Sequence, residues 1–226
     1  MKISTSSAGR AWLGTALLLL CGVGAATGAR ADDWQPKDVD ALGPREVVEA
    51  TVGQVLEILG EESLDTDARR ARIEAIAFDV FDFTTMSKLA LGRAWRKLDD
   101  DQKRAFVAEF KAHLSRTYGS RLDRYRQESV EIVGQREEAR GDVTVLTKVQ
   151  GGQFDDVEMS YRLRHRRERW QVIDVVIEGI SLIANFRSQF KEVMSKGGFD
   201  RLLEELRTKN FDAPGIDDEA GSAAEG

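Results

Sequence analysis

Asp174 and Glu178 are the residues whose type and spacing invite a chemical reading. They stand four apart in DVVIEGIS, so on an extended strand both side chains point to one face. Paired carboxylates of this kind serve general acid–base catalysis or glycoside hydrolysis, where the groups stand about 5–9 Å apart. The competing reading is structural. Glu178 directly precedes Gly179, and a carboxylate at a strand's end commonly accepts backbone or arginine hydrogen bonds. Other reactive groups are few. Neither His113 nor His165 has a second histidine at metal-ligand spacing such as H-x-x-x-H. Nucleophile-elbow, Walker and dinucleotide-binding motifs are absent from the sequence. The net charge is −6 and the basic residues are interleaved with acids, which disfavours nucleic acid. No metal, cofactor or catalytic residue is therefore assigned. An exported hydrolase using Asp174 and Glu178 stays open at this point, as does an interaction module with a filled core.

The elements that would carry the carboxylates follow from hydrophobic periodicity. Residues 44–59 read as a helix opened by Pro44, with Val48, Val52, Val55 and Leu59 on one face. Residues 66–80 read as a second, with Ile73, Ile76, Ala77 and Val80 inward, and about 84–91 as a short third stopped by Gly92. Asp99 followed by Gln102 resembles a capping box. Phe106, Phe110, Leu114, Tyr118, Leu122 and Tyr125 then recur at nearly every fourth position of a long helix. From 129 the period drops to two. SVEIVG, DVTVLTKVQ, VEMSYRLRH and WQVIDVVIEG read as an antiparallel meander of about four strands. In the last, strict alternation puts Trp170, Val172 and Val176 on one face and Ile173, Val175 and Ile177 on the other. A strand apolar on both faces is covered by helices on both, or lines a cavity on one. Two helices follow, parted by Gly197 and Gly198. The order of helices, strands and helices predicts one α+β domain over 32–210, with the N- and C-terminal helices wrapping the sheet.

The ends point to a compartment. Lys2 and Arg10 precede or flank an apolar run, AWLGTALLLLCGVGAA (11–26), which is short for a membrane span and suits a signal-peptide core. Ala29-Arg30-Ala31 is a small-x-small cleavage pattern, so cleavage is expected after Ala31, giving a signal peptide over 1–31 and a periplasmic chain. Leu20 is bulky where acylation of Cys21 as a lipoprotein would want a small residue. Cleavage removes the only cysteine, so the exported chain must rely on its core rather than on disulfides. The last residues, FDAPGIDDEAGSAAEG (211–226), carry five acids and no base, and read as a disordered acidic tail.

Three segments carry a resemblance: LALGRAWRKLDDDQKRAFVAEFKAHLSRTYGSRLDRY (89–125), WQVIDVVIEGISLIANFRSQF (170–190) and KGGFDRLLEEL (196–206). Together they resemble the MlaC family of periplasmic phospholipid-binding proteins, also known as toluene-tolerance or Ttg2-type auxiliary components of ABC transporters. The resemblance spans about 44–210. It implies a monomeric lipid carrier, not an enzyme, with an apolar pocket for acyl chains and a solvated headgroup. The implied partners are phospholipid, an inner-membrane ABC transporter complex with an MCE-domain subunit, and an outer-membrane lipoprotein–porin complex. The implied role is maintenance of outer-membrane lipid asymmetry. Asp174, Glu178, Gly179 and Ser181 match the family motif and are assigned structural work, with Ser181 as a helix N-cap. Pocket candidates come from the apolar faces: Phe110, Leu114, Tyr118, Val145, Met159, Tyr161, Val172, Ile180, Ile183, Phe186 and Phe190. Replacing Val145 or Phe186 with a bulky charged residue is expected to abolish lipid co-purification. The helix start at Ser181 is a weaker candidate for a phosphate.

Overall fold

Periodicity and caps account for the elements of the computed structural model, which describes residues 35, 37–119, 128–208 and 211. Helix α1 (Pro44–Leu59) begins at its proline, where the missing N–H costs nothing. Helix α2 (Thr66–Val80) is capped by Asp65, whose carboxylate accepts the Ala68 N–H at 2.8 Å. Helix α3 (Phe83–Leu91) is capped in the same way by Asp82, which accepts from Thr85 N at 2.8 Å. Helix α4 (Asp100–Gly119) has the reciprocal capping box expected of Asp99 and Gln102: Gln102 N donates to Asp99 Oδ1 at 2.8 Å, and Asp99 N to Gln102 Oε1 at 3.1 Å. Leu122 and Tyr125, placed on the same stripe by sequence, lie outside the described residues, as do the expected signal peptide and residues 212–226.

The strands β1 (Ser129–Glu137), β2 (Val143–Gln150), β3 (Glu158–Arg166), β4 (Arg169–Ile177) and β5 (Ile180–Ser181) form one antiparallel meander in sequence order. The fifth, two-residue strand is added to the four expected. It exists because Glu178 (φ 48°) and Gly179 (φ 77°) both take positive φ between the paired residues Ile177 and Ile180. That is the two-residue hairpin turn whose twist matches its strands. Helix α5 (Leu182–Thr208) follows at once and is kinked at Gly198 (φ 73°, ψ −165°), the place where sequence divides it.

Strict alternation fails in β4. Arg162 pairs with Asp174 but Leu163 pairs with Val172, so Ile173 is an extra residue, a β-bulge. Beyond it the strand changes parity. Trp170 and Val172 therefore join Val175 and Ile177 on the face shared with Met159, Tyr161 and Leu163, while Asp174 and Val176 point the other way. The apolar character of β4 on both counts comes from this slip of one position.

Helices α1 and α2 cover that face, and their buried Val47, Val48, Ile58, Ile73, Ile76 and Val80 form one core cluster with the sheet. A second cluster joins α3, α4 and α5. Phe81 touches both, and the Phe81–Val172 bridge with Asp82 N donating to Val172 O at 2.9 Å ties the helices to β4. No described helix is long and apolar enough to cross a membrane.

Candidate functional site

A cavity of about 320 Å³ lies between the α1–α2 pair and the sheet. It falls within the range of roughly 300–1,000 Å³ typical of small-molecule sites. Its walls are almost wholly apolar. Val52, Val55, Leu56 and Leu59 come from α1, and Ile73, Ile76, Ala77 and Phe78 from α2. The sheet supplies Val130, Val149, Met159, Tyr161, Val175 and Ile177. Met86 of α3, Leu114 and Tyr118 of α4 and Leu182 of α5 close the remaining side, with Phe81 and Phe83 beside them. Polar groups sit among them at few points: Thr51, Glu74, Lys111, Ser115 and Glu128. Glu74 accepts a hydrogen bond from the Ser115 hydroxyl, which joins α2 to α4 across the wall. Lys111 lies over the Phe78 ring, its ammonium 3.4 Å from the centroid.

Of the candidates chosen from sequence, Leu114, Tyr118, Met159 and Tyr161 line this cavity. The other seven do not. Phe110, Ile183, Phe186 and Phe190 are buried in the α3–α4–α5 cluster, where the rings pack on one another rather than around a space. Phe110 meets Phe186 and Phe190 edge-on, each at 5.3 Å, and Phe186 meets Phe190 at 5.5 Å. Val145 and Val172 share the cavity's sheet face but are packed into solid core beside it. Ile180 sits just past the β4–β5 turn and is 50% exposed. A charged residue at Val145 or Phe186 thus breaks packed core and leaves the cavity wall untouched. The walls absent from the sequence-based candidates are those of α1 and α2, whose apolar stripes the sequence places inward.

The carboxylate pair is absorbed by structure. Asp174 Oδ2 accepts from the Ser181 hydroxyl at 2.6 Å and Oδ1 from the Ile183 N–H at 3.1 Å. Ser181 Oγ in turn accepts from Ala184 N at 3.0 Å, the N-cap bond expected of it. Burial raises the Asp174 pKa, while the Ser181 bond, the backbone N–H groups of Ile183 and Val175, and Arg162 act in the opposite sense. Glu178 Oε1 accepts from Glu158 N at 2.5 Å, pinning the hairpin to β3. The start of α5 already holds the Asp174 carboxylate, so it is no site for a phosphate. Among the described residues no group of three or more His, Cys, Asp or Glu could hold a metal ion.

Helices over one face of an antiparallel meander, with an apolar hollow between, define a container. Comparison with known proteins gives the container its family. A family model described as MlaC protein matches residues 49–208, and the chain belongs to the MlaC family. The toluene tolerance protein ttg2D of Pseudomonas putida is 26% identical over 170 residues, 72% of this chain and 78% of that protein. The solved phospholipid-binding protein of Ralstonia solanacearum, in complex with a phospholipid, superposes with a TM-score of 0.67 at 26% identity. That match covers 74% of this chain and 96% of the other.

Proposed function

We propose that this protein is a periplasmic carrier that holds phospholipid acyl chains in the cavity under α1 and α2. The apolar hollow of about 320 Å³ is the observation that carries the reading. Family membership and the lipid-bound Ralstonia relative support it. Each CH₂ taken out of water is worth about 0.8 kcal/mol. Chains of ordinary length therefore do not leave such a site for water. A bilayer solvates the same chains equally well, so exchange between membrane and carrier is close to thermoneutral. Direction must come from partners. The partners in this reading are an inner-membrane ABC transporter complex with an MCE-domain subunit and an outer-membrane lipoprotein–porin complex, and the outcome is lipid asymmetry of the outer membrane. The protein acts as a monomer, exported by its cleaved N-terminus, and performs no catalysis.

The test is to fill the hollow without breaking the core. Ala77 lines it and its side chain is small. Ala77→Trp is expected to cut the lipid recovered by organic extraction and mass spectrometry at least about tenfold, since the indole occupies space that the chain needs. Far-ultraviolet circular dichroism should be unchanged. Wild-type levels of lipid in a folded Ala77→Trp protein would refute the cavity as the binding site.

A further inference from the structure

On α4 the positions that line the cavity are Lys111, Leu114, Ser115, Tyr118 and Gly119, the spacing of one helix face. Lys111 is the charged member of that stripe. Its ammonium lies 3.4 Å from the Phe78 centroid and 5.6 Å from that of Phe83. Phe78 is 37% exposed, so ring and ammonium together mark where the hollow meets solvent. Among the described residues Lys111 Nζ has ring contacts but neither a hydrogen bond nor a salt bridge. Glu74 is near enough to raise the lysine's pKa, but burial outweighs it and the net direction is down. Glu74 also has other work, accepting the Ser115 hydroxyl. The ammonium has three donors, and among the described residues no side chain accepts from them. The ring face holds it in place. An anion arriving at the mouth would find these donors free.

We infer that Lys111 is a headgroup site, its ammonium donating to a phosphate oxygen of a lipid whose chains lie in the cavity. This deepens the carrier reading and rests on it. In a glycerophospholipid the phosphate sits one glycerol unit from the chains. A cation on the rim of an apolar hollow therefore meets it when the tails point in. Lysine is a compact charge with rotatable donors, which suits a phosphate ester without fixing what esterifies it. The stem and ring hold the ammonium at the mouth, while Glu74 opposes a second negative charge nearby. The site distinguishes phosphorylated from unphosphorylated lipid more than one phospholipid from another.

The experiment offers the protein vesicles with equal amounts of dioleoyl phosphatidylethanolamine and dioleoylglycerol, which share chains and differ in the phosphate-bearing headgroup. Native mass spectrometry reads the bound ratio. Wild type is expected to favour the phospholipid. Lys111→Met, which keeps an apolar stem against Phe78, is expected to lower the ratio about tenfold, the worth of one charge-assisted hydrogen bond away from bulk water. Lys111→Arg should restore most of it, and Glu74→Gln should raise it. An unchanged ratio in Lys111→Met, or equal loss of both lipids, overturns the assignment. Should Lys111→Met not fold, an unchanged ratio in Glu74→Gln overturns it instead. Millimolar inorganic phosphate should leave the ratio unaltered; a ratio it abolishes makes Lys111 a general anion site and overturns the headgroup assignment. Wild type that takes both lipids without preference overturns this inference alone, whereas wild type that takes neither overturns the carrier reading with it.

Discussion

His113 carries a pH dependence that follows from its surroundings. Its ring is fully buried, edge-on to Phe186 at 5.6 Å and to Phe211 at 5.3 Å, with Nε2 3.4 Å from Thr117 Oγ1. Burial first, and Arg116 second, push its pKa down from 6.5 to about 4. The folded protein thus keeps the ring neutral while the unfolded chain takes up a proton near pH 6.5. Where the unfolded state binds more protons, stability falls as pH falls. The loss begins near 6.5, grows down to about 4 and then levels off. At about 1.4 kcal/mol per pH unit it reaches roughly 3 kcal/mol. His113→Leu should flatten this limb of the stability curve, measured by urea unfolding from pH 7 to pH 4. An identical slope in the variant would show that the proton uptake belongs elsewhere. From sequence, His113 stands at the edge of an aromatic stripe, which reads as a structural or surface position. Its enclosure was not legible there, because one wall is Phe211. That residue begins a segment whose composition reads as tail, yet it is buried against His113 and Phe190.

At the scale of elements, Asp174 is the joint between β4 and α5. It accepts from the hydroxyl of the N-cap Ser181 and from a backbone N–H of the first turn of α5, and it sits at the positive end of the helix dipole. Asp174→Ala should destabilise the fold by about 2 kcal/mol, and Asp174→Asn by about half as much, since the amide retains one acceptor oxygen. Both should retain bound lipid, because the residue is not among the cavity walls. A variant that folds normally yet loses lipid would sink the structural assignment. The helices were legible from sequence almost to the residue, since proline, aspartate caps and apolar stripes act over a single turn. Strand pairing was legible too, but the Ile173 bulge was not. A one-residue insertion leaves the pattern of residue types unchanged and reveals itself only against the partner strand. The same limit explains the cavity. Stripes on α1 and α2 show which side faces inward, and say nothing of whether that side meets side chains or empty space. The phenylalanine rings of α4 and α5 read as pocket walls from sequence, yet Phe110, Phe186 and Phe190 fill the volume between their own helices.

For the molecule as a whole, the hollow is a weakness in the absence of cargo. Empty apolar volume costs roughly 24 cal/mol per Å³ when its walls cannot relax. For about 320 Å³ that is an upper bound of about 8 kcal/mol, comparable with the net stability of an ordinary domain. The cavity is not sealed from solvent, so the actual cost is smaller. No cysteine beyond Cys21 is available to brace the fold, and the second cluster, of α3, α4 and α5, must supply the rigidity that the first gives up. A ligand that binds only the folded state stabilises it by mass action, about 2.7 kcal/mol at a hundredfold excess over Kd. Stripping lipid with organic solvent or detergent exchange should then lower Tm by roughly 5–10 °C. Adding back phospholipid vesicles should restore it, and Ala77→Trp should melt at one temperature with or without lipid. If stripped and loaded wild type melt together, the hollow is not where the cargo is held.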